Sequence, residues 1–229
     1  MINILFPHKR YSFINESILE NLPKDAIQLI NENSITLKLK KGQILFHEGT
    51  VPVGLYIIKS GKVKKYTTGL AGKEHIFYLA KDNEILGHHS LLSKEPHCCS
   101  SACLSDCEIN LVPKEIFYII LSLDQSILNR FSKSLAHEFG VFINNSKILA
   151  QHSVRERCAI SIIKLKDFFN ATDRGFKISR KDHSNIVGTS VESLVRVLHD
   201  FKEEKIIKIE ENSIFVLKPK KLVEISNMV

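Results

Sequence analysis

Glu192 and Arg196 stand four residues apart in the stretch TSVESLVRVLHDF, one turn apart on a single helix face if that stretch is helical. On a helix laid in the major groove of DNA, an arginine fork grips the N7 and O6 acceptors of guanine, and a carboxylate accepts from the cytosine amino group. Thr189, Ser193 and Val195 border the pair, and Val195 suits apolar contact with a thymine methyl. Taken alone, the pair is equally an ion pair on a solvated helix, worth about 0.2–0.5 kcal/mol. Its surroundings favour the first reading. Arg174, Lys177, Arg180 and Lys181 precede it, and Lys202, Lys205 and Lys208 follow it, placed to meet phosphates beside the groove.

A second group is soft-ligand chemistry. The run CCSSACLSDC supplies Cys98, Cys99, Cys103 and Cys107, and Gly87 is followed by His88 and His89. Thiolate and imidazole suit zinc, iron or haem, and exposed thiols of low pKa suit redox sensing. The spacings do not repeat the CxxC units of structural zinc sites, and buried free cysteines commonly act as small hydrophobes, so both readings stay open. Cys158, among apolar helix residues, is expected in a core, and His47 and His75 are expected to satisfy local hydrogen bonds. No catalytic constellation is present: no paired carboxylates at a defined spacing, no phosphate-cradling glycine loop, no Ser-His-Asp set.

The elements that must position these residues are written locally. Ser179 with Asp182 caps a short helix through Val187, and Gly188 ends it with a positive φ. Thr189 with Glu192 is expected to box the start of the next helix, whose apolar face is Val191, Leu194, Leu198 and Phe201. The apolar hairpin KIIKIEENSIFVLK follows, which completes the order of a winged helix-turn-helix. Ser153 and Glu156 form another capping box, opening the helix VRERCAISIIKLKDFF after a break that is a candidate hinge.

Upstream, Leu128, Leu135, Phe142 and Leu149 recur every seven residues, with Phe131 and Phe139 alongside. Such a stripe is covered by a second copy in a parallel homodimer, or by the chain's own barrel if the helix lies on it. Residues 36–111 break into short apolar runs split by Gly, Pro and charged turns, the pattern of an antiparallel barrel or sandwich with no helix expected inside it. The expected class is α+β: an antiparallel β-roll or jelly-roll sensor domain over 1–122, a dimerisation helix over 123–152 and a winged helix-turn-helix over 153–229.

The chain has 229 residues and a formal charge of +7. Residues 154–229 hold 15 basic and 11 acidic side chains against 17 and 14 in the first 153, so positive charge is denser at the end that would meet a polyanion. No apolar run approaches the roughly 20 residues of a membrane helix, and MINILFPHKR lacks a secretory core, so a cytoplasmic location is expected. An odd count of five cysteines argues against a disulfide scaffold.

Over nearly its whole length the chain resembles the Crp/Fnr family of transcription regulators. The resembling stretches are KKGQILFHEGTVPVGLYIIKSGKVKKY, NEILGHHSLL and ISRKDHSNIVGTSVESLVRVLHDFKEEKIIKI. The resemblance implies double-stranded DNA with a two-fold symmetric site, a homodimer and RNA polymerase as partners. It places Glu192 and Arg196 on the family's recognition helix, with a TGA-like core in each half-site. Where the Fnr branch has a Ser before the Arg, this chain has Val195, so its outer-base preference differs.

Cyclic-AMP-binding members carry a Glu just after the Gly of the sensor segment and an Arg-Ser pair some ten residues on. Here those places read His88 and His97-Cys98-Cys99, leaving no fixed cation for a phosphate and arguing against cyclic AMP. The iron–sulfur cluster of the Fnr branch needs cysteines near the N-terminus, and this chain has none before Cys98. The effector pocket is therefore expected around Gly87, His88, His89, Cys98 and Cys99, with haem or a metal possible. A haem or metal redox sensor with the same output, and a signalling module that contacts protein in place of DNA, are the competing functions.

Overall fold

The computed structural model describes residues 18–20, 22–171 and 175–227; Arg174 and the segment MINILFPHKR lie outside the described residues. After helix α1 (Lys24–Asn33) come eight strands: β1 (Ile35–Leu39), β2 (Ile44–Phe46), β3 (Gly54–Ser60), β4 (Lys62–Thr68), β5 (Glu74–Lys81), β6 (Ile85–Leu86), β7 (Ser100–Cys103) and β8 (Cys107–Pro113). They form two antiparallel sheets, ordered β1-β8-β3-β6 and β2-β7-β4-β5, the expected jelly-roll-like arrangement. β3 is the apolar run GLYIIKS, and its first five residues are buried. A strand covered on both faces needs no polar alternation.

One helix interrupts the strands, contrary to the expectation of none: α2 (His88–Ser93). It is launched by Gly87 at φ +86°, where an added Cβ would sit 3.1 Å from the Gly54 carbonyl oxygen. At six residues it is too short for periodicity to reveal.

Helix α3 (Lys114–Leu123) leads into the long α4 (Gln125–Gln151). Two stripes run along α4. Ile127 and Phe131 are buried with Leu55, Leu91, Val112 and Phe117 in the core beneath the strands, and Phe117 meets Phe131 edge-on with ring centroids 5.3 Å apart. Phe131 thus does not belong to the heptad stripe that its spacing suggests. The residues one turn off it remain outside: Leu128, Phe139, Phe142 and Leu149 are exposed, and Leu135 is half-buried.

The chain divides into two compact units that part within α4, between Gly140 and Val141. The second contains α5 (Val154–Phe168), β9 (Phe176–Lys177), α6 (Arg180–Val187), α7 (Val191–Glu203), β10 (Ile207–Glu210), β11 (Ser213–Val216) and α8 (Pro219–Ser226). Its sheet is ordered β10-β11-β9. Glu211 and Asn212, both at positive φ, make the tight turn between β10 and β11, where Glu210 pairs with Ser213. Cys158 is fully buried in the core of this unit, as expected. No helix among the described residues is long and apolar enough to cross a membrane.

Candidate nucleic-acid interface and sensor cluster

Helix α5 is the platform on which the two helices of the motif are set. The Ser153–Glu156 box is formed in both directions: Glu156 N donates to Ser153 Oγ at 3.3 Å, and Ser153 N donates to Glu156 Oε2 at 2.6 Å. Ser161 Oγ lies 2.8 Å from Nε2 of His183, a fully buried ring on α6. Burial, aided by the charge of Arg180, lowers the His183 pKa to about 3, so the ring is a neutral packing group. Arg155 ties α5 to the far end of α7, donating to Glu204 Oε1 at 2.6 Å with its guanidinium 4.7 Å from the Phe201 ring centroid.

Nothing in the sequence singles out Arg157. Its Nε donates to Val187 O at 2.9 Å and Nη2 to Gly188 O at 3.4 Å, while Nη1 reaches His152 O at 2.7 Å and Leu149 O at 3.4 Å. One guanidinium therefore satisfies backbone carbonyls at the end of α4 and at the end of α6, both sites where such groups lack helical partners and a cation is favoured.

The turn between α6 and α7 follows its chemistry with one correction. Asp182 N donates to Ser179 Oγ at 2.9 Å, and Gly188 closes α6 at φ +70°. The cap of α7, however, is Ser190, whose Oγ accepts from Ser193 N at 3.1 Å. Thr189 is buried, at 8% exposure, and turns inward where the left-handed Gly188 reverses the chain. On α7, Leu194, Leu198 and Phe201 are buried, and Glu192, Val195, Arg196 and His199 are exposed. Val191, expected inside, is also exposed, at the first position of α7.

Ser193 is half-buried, and Lys177, Lys181, Lys202 and Lys205 are exposed. Lys208 is paired with Glu210 at 2.5 Å. Arg180 is half-buried, and its pKa is lowered by desolvation.

In the first unit, the segment from Gly87 and the cysteine run meet at a cluster of charge. Lys65, on β4, lies 3.5 Å from Glu138 Oε2, and Glu138 Oε1 lies 3.2 Å from His88 Nε2 without the alignment of a good hydrogen bond. All three side chains are largely shielded from water, and Lys65 Nζ is 5.1 Å from the Tyr78 ring centroid and 5.8 Å from that of Phe77. Burial would raise the Glu138 pKa, but Lys65 and His88 outweigh it and hold the value near 2.

Lys65 also acts electrostatically on Cys98 and Cys99. A cation therefore does stand beside the segment in which none was expected. It comes from β4, far away in sequence.

Cys98 is exposed, with Sγ 4.0 Å from His89 Nδ1, whereas Cys99, Cys103, Cys107 and Cys158 are buried. Hydrogen bonding from Cys99, then the charges of His89 and Lys65, overcome burial and pull the Cys98 thiol down to about 6, while Cys99 is pushed up by its bond to Cys98 and by burial. Burial and the neighbouring Cys107 push Cys103 up to about 12. His97 stacks on Phe46 at 4.0 Å. Among the described residues no three His, Cys, Asp or Glu side chains converge as a metal site.

Residues 36–124 match the family described as Cyclic nucleotide-binding domain, and residues 156–225 match the Crp-like helix-turn-helix domain. The chain is 25% identical over 186 residues to the Cyclic AMP receptor protein of Thermus thermophilus, covering 81% of this chain and 85% of that protein. It is 26% identical over 224 residues to the Fumarate and nitrate reduction regulatory protein of Vibrio cholerae, covering 94% and 85%. A solved structure of a Crp/Fnr-family protein from Eubacterium rectale superposes with a TM-score of 0.76 at 21% identity, covering 97% of this chain and 99% of that one. With both domain matches falling in order on the two sheet-bearing units, the chain belongs to the Crp/Fnr family of transcription regulators.

Proposed function

We propose that the protein is a homodimeric, sequence-specific DNA-binding transcription regulator. In this reading residues 1–122 sense, 123–152 dimerise and 153–229 read DNA. The observation that carries it is the amphipathic setting of α7: Leu194, Leu198 and Phe201 are inside, while Glu192, Val195 and Arg196 are exposed. Arg196 and Glu192 read base edges, Ser193 and Val195 flank them, and Lys181 meets phosphate. Arg180 reaches phosphate only from a half-buried position, and the buried Thr189 is set aside. Selection from a random duplex pool tests this. The expected result is a two-fold symmetric motif with half-site centres about 34 Å apart; salt-sensitive binding without any motif would overturn it.

The second copy covers the outer stripe of α4. Phe142, at 55% exposure, and Phe139, at 65%, are large apolar side chains that pairing would remove from water. Phe142→Asp is expected to shift the protein to monomer in sedimentation velocity, with a fall in affinity for the symmetric site of at least about tenfold, because each head then binds alone. A dimer that survives this change at micromolar concentration would remove Phe142 from the interface.

The switch lies in the first unit and is not driven by cyclic AMP. His88 stands where cyclic-AMP-binding members carry a Glu, and its ring faces Glu138. The cation at hand, Lys65, already has a carboxylate partner. RNA polymerase is the downstream partner that the family reading supplies.

A further inference from the structure

We propose that Cys98 is a modification site for hydroperoxides, the point at which oxidant enters the sensor domain. Four observations of placement support it. Cys98 is the exposed cysteine, the other four being buried. His89 Nδ1 is 4.0 Å from its sulfur, close enough to deliver a proton to a departing oxygen after a small adjustment. The charge of Lys65 acts on the Cys98 thiol, an environment that stabilises thiolate. Lys65 in turn contacts Glu138, so the reactive sulfur is one residue removed from α4.

The thiolate lone pair attacks the distal oxygen of ROOH. The S–O bond forms as the O–O bond breaks; sulfur is oxidised by two electrons and the peroxide is reduced. The leaving alkoxide takes a proton from a neighbouring donor or from water, giving ROH and Cys98 sulfenic acid. Sulfenic acid is neutral at the sulfur where the thiolate was negative. Lys65, which had attracted both the thiolate and Glu138, is left with Glu138 as its anion, and that carboxylate is carried on α4. Oxidation thus alters an ion pair on the helix.

This inference rests on the regulator reading only for its consequence, and the test separates the two. The full-length protein is treated with one equivalent of hydrogen peroxide in the presence of dimedone, then digested for mass spectrometry. The dimedone adduct is expected on Cys98 at least tenfold ahead of the other four cysteines, and Cys98→Ser is expected to leave those four unlabelled. A first adduct on another cysteine, or a Cys98 rate no greater than that of the same sequence as a free peptide, would overturn the site.

Affinity for the selected duplex is then measured before and after peroxide. A change of fivefold or more in the wild type, absent in Cys98→Ser, supports the coupling to α4; equal affinities overturn it. If neither form binds a symmetric duplex, the regulator reading fails while the labelling result still decides the chemistry of Cys98.

Discussion

Arg196→Ala is expected to lower affinity for the symmetric site by about 100-fold while leaving binding to a scrambled duplex unchanged. A bidentate arginine–guanine contact discriminates by about 1–3 kcal/mol, and a two-fold symmetric complex forfeits it twice. The side chain is exposed on α7, away from Leu194 and Leu198, so its removal opens no cavity and the fold and dimer should persist. Anisotropy titrations at several salt concentrations check the result. Because Arg196 is assigned to bases and not to phosphate, the slope of log affinity against log salt should hold. Lys181→Ala should behave oppositely, weakening both duplexes alike and reducing that slope by about one for each phosphate that is no longer neutralised. Unchanged sequence preference in Arg196→Ala would take the residue out of base reading.

Glu138→Ala, made together with Cys98→Ser so that no thiolate remains to serve Lys65, should destabilise the first unit by about 3–5 kcal/mol, because it strands a buried ammonium. Lys65 is 12% exposed and rests over the Tyr78 and Phe77 rings, which supply some attraction but no counter-charge. Thermal or urea unfolding measures the loss. The double variant Lys65→Met with Glu138→Leu should recover most of it, since an apolar pair of similar size avoids desolvation altogether.

The same carboxylate makes the stability of the unit depend on pH. The folded pKa of Glu138 is held near 2, below its ordinary 4.5, so the carboxylate contributes stability that is fully present above about pH 5 and is lost as pH falls toward 2. The wild type should show that acid slope, and Glu138→Ala should flatten it. Unchanged melting in Glu138→Ala would mean that Lys65 has another anion to hold.

What the sequence disclosed was whatever is contiguous in it. The Ser153–Glu156 box, the Ser179 cap, the left-handed Gly188 and the β10–β11 hairpin each depend on residues within a few positions, and each forms where its residues stand. Thr189 and Ser190 are neighbouring hydroxyls, and only the direction in which Gly188 turns the chain decides which of them caps α7. Phe131 misleads a heptad count because two apolar stripes share α4, and the spacing does not say which one faces the chain's own strands.

The Lys65–Glu138–His88 cluster unites three segments far apart in sequence, each with an ordinary polar residue of the kind found on any surface. Arg157 is invisible for a different reason: its partners are carbonyl oxygens, which every residue has, so no pairing of side chains advertises it.

That arginine bears on where the molecule can bend. The interruption after Gln151 looks like a place for pivoting, yet a single planar cation grips the oxygens on both sides of it and also those of the α6 turn. The last turn of α4 and the reading head are thereby pinned into one stiff joint. A twist that arrives at Leu149 has no slack in which to dissipate before it reaches the start of α7.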